Sequence, residues 1–182
     1  MRGTGSRRAM DGMTRFALAA CLAVVGWRAA DGELTVAAPL LYLALVTGEL
    51  CRIDRAEFRL PNALVVPGLG FAVTGVAFAA LAGRDLVTAV GWGAGYAAVL
   101  LAPALCGAAG MGDVKLAAVL GLVLGSLGPW VALIGSVSAF VVAGVVALAT
   151  VVVDGARRDD QVAFGPFMLG GFWGAVALAA AV

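Results

Sequence analysis

The chain has 182 residues, 63% of them hydrophobic and 13% charged, with a net charge of +1 and a mean hydropathy of +1.04. A soluble domain carries about 45–50% apolar and about 25% charged residues, so this composition excludes a water-soluble fold and makes the bilayer the solvent for most of the chain. The near-neutral balance points away from nucleic acid. The absence of histidine removes Ser-His and Cys-His catalysis, HExxH zinc sites and histidine proton relays.

Seven apolar stretches approach the roughly 20 residues that a membrane helix needs. In chain order they cover about 14–30, 34–51, 62–82, 86–106, 110–127, 129–153 and 165–182. Arg2, Arg7, Arg8 and Arg15 precede the first, a pattern shared with signal peptides. Trp27-Arg28 stands where a small-residue cleavage site belongs and favours a retained helix; Ala29-Ala30 keeps the other reading open. The second stretch runs into the charged segment 52–61. The fifth is the least apolar, because Asp113 and Lys115 occupy its first turn. These elements predict an all-α, polytopic membrane helix bundle of about seven transmembrane helices, forming a single membrane domain over 1–182.

Cys21, Cys51 and Cys106 are far apart, form no CxxC pair and read as small buried hydrophobes, so neither a metal site nor a disulfide framework is expected. Glycines recur four apart at Gly91 and Gly95, Gly121 and Gly125, and Gly170 and Gly174. Such pairs let helix backbones approach closely, and bundle packing accounts for them.

Orientation follows from the distribution of basic residues. With a cytoplasmic N-terminus and an external C-terminus, Arg2, Arg7, Arg8, Arg15, Arg52, Arg55, Arg59, Lys115, Arg157 and Arg158 face the cytoplasm, and only Arg28 and Arg84 lie outside. On that topology most acids fall in solvated turns. Asp54, at the end of the second stretch, and Asp113, at the start of the fifth, reach the cytoplasmic rim at the same depth. An acid at the membrane edge is costly to place and usually functional. Two interpretations remain open at this point. The aspartates converge as a catalytic pair that needs neither histidine nor metal, or they form salt links with Lys115 and with Arg52 or Arg55. Gly110 and Gly112, flanking Met111, leave a bare neighbourhood before Asp113. Glu49 is expected to pair with Arg52, three residues on.

Gly110-Met111-Gly112-Asp113-Val114-Lys115-Leu116 resembles the GxGDxK signature of the type IV prepilin peptidases, which include the preflagellin peptidases. "RIDRAEFRLPN", residues 52–62, is similar to that family's first-aspartate segment, where Pro61-Asn62 opens the next helix. "FGPFMLGG", residues 164–171, resembles the Phe-Gly-Pro-Phe stretch that opens the last helix. The resemblance covers about residues 40–175. It implies a GxGD membrane aspartic endopeptidase that cuts the basic leader from a type IV pilin-like precursor at the cytoplasmic face of the plasma membrane. Asp54 and Asp113 are then the catalytic pair, with Gly110, Gly112, Lys115, Pro61, Asn62, Gly165 and Pro166 supporting.

The chain lacks the CxxC domain of larger members, leaving one extra helix, about 14–30, on a six-helix core over about 34–182. No S-adenosylmethionine site is apparent, so no cofactor and no methyltransferase activity is assigned. In the related presenilin class a Pro-Ala-Leu motif follows the second aspartate, whereas here Pro103-Ala104-Leu105 precedes the second aspartate. The competing interpretation from a different class is a small transporter coupling protons or cations through the two aspartates. Lipid and a precursor protein are the expected partners, and the sequence sets no oligomeric state.

Overall fold

The computed structural model describes residues 18–19, 21–23, 25–26, 34–107, 109–154 and 163–181. The described residues form helices and short turns, with no strand among them. Helix α1 is described at residues 18–19, 21–23 and 25–26. It is followed by α2 (Leu34–Glu57), α3 (Asn62–Leu81), α4 (Leu86–Leu105), α5 (Met111–Leu127), α6 (Pro129–Asp154) and α7 (Gly165–Ala181). The arginines before α1, the break at 31–33 and the Arg157-Arg158 loop lie outside the described residues.

The protein is a polytopic helical membrane bundle. Helices α2, α3, α4 and α6 are long and apolar enough to cross a bilayer, over Val36–Glu57, Asn62–Leu81, Leu86–Leu105 and Pro129–Val152. The expectation of about seven full spans needs qualifying for α5 and α7. At 17 residues each they measure about 25 Å, at the short limit for a hydrocarbon core of about 30 Å. Helix α2 also runs further than its apolar stretch and carries Arg52, Asp54 and Glu57 inside the helix rather than in a loop. Arg52 Nε donates to Glu49 Oε2 at 2.9 Å across one turn, as their spacing predicts.

Helix α5 lies at the centre and touches α2, α3, α4, α6 and α7. Ten of its residues, from Val114 to Ser126, are buried. A helix enclosed by protein is apolar on every side, and past its first turn, where Asp113 and Lys115 sit, α5 follows that pattern. Its tightest neighbour is α4. A Cβ on Gly121 would stand 2.6 Å from the Trp92 carbonyl oxygen, and one on Gly125 would stand 2.8 Å from Ala89 Cα. Of the three glycine pairs read from the sequence, only this one is closed by a neighbour. Gly91, Gly95, Gly170 and Gly174 face open space, and α7 uses Gly171 instead, 2.6 Å from the Gly135 oxygen by the same measure.

Gly121→Ala therefore forces α4 and α5 apart and should lower stability by about 1–3 kcal/mol, the usual range for overpacking. Gly144→Ala, with nothing within 4 Å, should not. Unfolding in mixed micelles, with both variants compared to the parent chain, measures the difference.

Candidate active site

The starts of α3, α5 and α7 meet at one end of the bundle. The first follows α2. The N–H of Phe58 donates to the Asp54 carbonyl at 2.9 Å and closes the helix, and Phe58 adopts a left-handed conformation with φ 50°. Pro61 then caps α3 with φ −71°, and its carbonyl accepts from the N–H groups of Leu64 and Val65 at 3.0 and 3.2 Å. Between these residues, Leu60 is buried and lies directly on α5. A Cβ on Gly112 would stand 2.8 Å from Leu60 Cβ and 3.1 Å from the Leu60 oxygen. Gly112 thus makes the close approach that its type suggests, while Gly110 has an ordinary φ of −81° and caps the helix.

Asp113 sits three residues into α5. Its Oδ2 accepts from the Gly110 N–H at 3.2 Å, one half of a capping box, which places an anion at the positive end of a helix. Its Oδ1 is buried and has no hydrogen-bond partner.

Asp54 is 3% exposed. Its Oδ2 accepts from the Gly165 N–H at 2.9 Å, a contact between residues 111 apart in the chain. The donor is one of the N–H groups that the first turn of a helix leaves free. Pro166 follows it at a position where no N–H is needed, and the Phe164 carbonyl accepts from Phe167 and Met168 at 3.1 and 3.2 Å to start α7. Trp173 Nε1 donates to Thr47 Oγ1 at 3.0 Å and ties the same two helices together further along.

The two carboxylates lie close enough for the charge on Asp54 to act on Asp113. Two of the basic residues nearby are engaged elsewhere. Lys115 Nζ donates to Asn62 Oδ1 at 2.9 Å, joining α5 to α3, and Arg52 pairs with Glu49. The arrangement thus brings Asp54, Leu60, Pro61, Asn62, Gly110, Gly112, Asp113, Lys115, Gly165 and Pro166 to one end of the bundle, and neither Lys115 nor Arg52 makes the salt link to an aspartate that the second interpretation called for.

Sequence reading missed two residues here. Leu60 is an ordinary leucine in a charged segment, distinguished by its place against Gly112 and Gly165. Tyr96 of α4 is 4% exposed and its hydroxyl has no partner. It lies within electrostatic reach of Asp113, and its ring meets Phe140 edge-on at 5.8 Å, with Phe140 in turn 5.4 Å from Phe164. The available signal was a polar group midway along an apolar helix in a chain with two tyrosines; the other, Tyr42, donates to the Leu64 carbonyl at 2.7 Å.

A Cβ on Gly165 would stand 2.9 Å from Asp54 Oδ2, so Gly165→Ala must displace the carboxylate from its donor. Loss of a hydrogen bond to a charged group should cost about 1.5–3 kcal/mol. It should appear as a lower midpoint in tryptophan-fluorescence unfolding, while Gly170→Ala, which meets nothing within 4 Å, leaves the midpoint unchanged.

A sequence model of the type IV leader peptidase family matches residues 39–153. Comparisons with curated proteins and with solved structures returned no match. The matched stretch covers well over half of the 182 residues, runs from α2 through α6 and contains both Asp54 and Asp113. The chain therefore belongs to the type IV leader peptidase family.

Proposed function

We propose that this membrane peptidase is an aspartic endopeptidase, and that Asp54 and Asp113 together cut the basic leader from a type IV pilin-like precursor at the cytoplasmic face of the plasma membrane. The observation that supports this reading is the placement of the two acids. Two carboxylates from distant helices share one end of the bundle, each held by a backbone N–H, and one oxygen of Asp113 is left without a partner. Family membership favours this reading over coupled transport.

Two carboxylates in one sheltered site hold a single proton between them, because like charges close together resist ionising together. The ionised member takes a proton from water as the oxygen attacks the scissile carbonyl carbon. The protonated member gives its proton to the carbonyl oxygen, and a tetrahedral diol forms. When the diol collapses, the C–N bond breaks, the leaving nitrogen takes the proton drawn from water, and the diol hydroxyl returns the other. Every proton is accounted for, and the scheme assigns no separate task to either aspartate, since a coupled pair titrates as a unit.

Arg52, Arg55, Arg59 and Lys115 gather at the same end of the bundle as the aspartates, and the positive-inside rule turns that end toward the cytoplasm. A basic leader would then meet the site without crossing the bilayer. The supporting roles follow from the contacts: Gly112 admits Leu60, Gly165 supplies the donor to Asp54, and Lys115 with Asn62 holds α3 against α5.

Asp54→Asn and Asp113→Asn should each lower precursor cleavage by at least about 100-fold while membrane insertion persists, read as loss of the precursor mobility shift on co-expression. Near-normal cleavage by either variant overturns the pair. Orientation has its own test. Cys106 is exposed at the same end, whereas Cys21 is buried and Cys51 partly so. A membrane-impermeant maleimide should label Cys106 in inside-out vesicles and not in intact cells; the reverse pattern overturns the topology.

A further inference from the structure

Among the described residues two buried side-chain polar atoms have no hydrogen-bond partner, the Tyr96 hydroxyl on α4 and Asp113 Oδ1 on α5. The other buried hydroxyls, on Thr47, Ser126 and Ser136, donate to carbonyls of their own helices. A phenol stands too far from its own backbone to do the same, so Tyr96 depends on a partner from elsewhere. Buried polar groups are rarely left unpaired, and two on neighbouring helices call for a common explanation.

The ring of Tyr96 borders an open, apolar groove between α4 and α6, yet its hydroxyl is inaccessible from that space. The hydroxyl is therefore turned into the bundle, where α5 is the main neighbour of α4. The register of these two helices brings it toward Asp113. Gly125 meets Ala89 and Gly121 meets Gly93, so a step of four residues along one helix matches a step of four back along the other. Carried on by about two turns, this antiparallel register sets Leu101 level with Asp113. Tyr96 then stands about 7 Å deeper along the axis, a gap that a tyrosine side chain and a hydrogen-bonded water cover. Asp113 is also the group whose charge acts on the Tyr96 hydroxyl.

We propose that Tyr96 is a positioning residue for the catalytic pair, its hydroxyl donating to the free Oδ1 of Asp113 by way of enclosed water. Water held among unmatched buried groups bonds to each of them. With the Gly110 N–H on Oδ2, the carboxylate is then fixed through both oxygens. A donor favours the ionised carboxylate over the neutral acid, so Tyr96 extends the working range of the pair toward lower pH. The proposal rests on the peptidase reading and adds to it the group that sets that range.

Few other charges bear on Asp113. On its own helix, Lys115 is engaged by Asn62. Helix α2 presents Asp54, with Arg55 and Cys51 within reach of Asp54 in turn. Helices α3, α4 and α7 contain no charged residue, and α6 has none before Asp154 at its last position. Nothing on those helices masks the loss of the Tyr96 donor.

Two measurements test it. Tyr96→Phe keeps the ring on Phe140 and removes only the hydroxyl. The pH profile of kcat for precursor cleavage should move to higher pH by at least about half a unit, with KM within about twofold. A ring-fluorinated tyrosine at position 96, a stronger donor of nearly the same shape, should move it the other way. Tyr42→Phe removes a hydroxyl bonded to the Leu64 carbonyl and should leave the profile in place. A folding defect lowers the active fraction without moving the profile. An unmoved profile in Tyr96→Phe, or one moved to lower pH, overturns the proposal.

The second measurement needs no cleavage. In the Asp54→Asn variant the infrared band of the protonated Asp113 carboxyl is identified by its loss when Asp113→Asn is added. Its titration midpoint should rise when Tyr96→Phe is added instead, and a fixed midpoint overturns the proposal. If the parent chain cleaves no precursor but this midpoint rises, the peptidase reading fails and the link between Tyr96 and Asp113 stands.

Discussion

A carboxylate withheld from water must find hydrogen-bond donors inside the protein, and at the edge of a membrane few are free. Asp54 obtains one from the first turn of α7 and Asp113 one from the cap of α5. Backbone N–H groups at helix starts are the donors a helical membrane protein has to spare, because every other N–H of a helix is committed within it. The donors consequently lie where helices begin: Asp113 is held by the cap of its own helix, and the position of Asp54 depends on how α7 is docked.

That dependence explains why the bundle is tight where it is. Helix α5 carries Asp113 and is enclosed by five neighbours, and its closest contact, against α4, is backbone on backbone at Gly121 and Gly125. Packing of that kind tolerates little sliding. Helix α7 carries the donor to Asp54 and is held to α6 through Gly171 and to α2 through Trp173 and Thr47. Helices α4 and α6, by contrast, touch little along the flank where the groove opens. Rigidity sits behind the carboxylates, and open space sits beside Tyr96.

Much of this could be read from the residues. Apolar runs placed α3, α4, α5 and α6 to within a few residues, and counting spans and arginines put Asp54 and Asp113 at one end. What escaped did so for definite reasons. The apolar run of α2 ends several residues before the helix does, because Arg52, Asp54 and Glu57 continue hydrogen bonding past the hydrophobic stretch. The glycine spacing marked three pairs, but whether a glycine meets a neighbour depends on the rotation of its helix, and spacing does not report that. The donor to Asp54 is a main-chain group and has no sequence signature at all. Lys115 lies two residues from Asp113 and invited an ion pair, yet its long side chain reaches Asn62 on the neighbouring helix.

The 111-residue separation between Asp54 and its donor also bears on how such a chain is made. A ribosome delivers α2 to the membrane long before Gly165 leaves the exit tunnel, so Asp54 waits at the lipid boundary without its partner throughout synthesis of α3 to α6. The nascent polypeptide cannot close the hydrogen bond between Asp54 and Gly165 until α7 has been threaded, so the proposed catalytic pair is the last feature of the bundle to be completed.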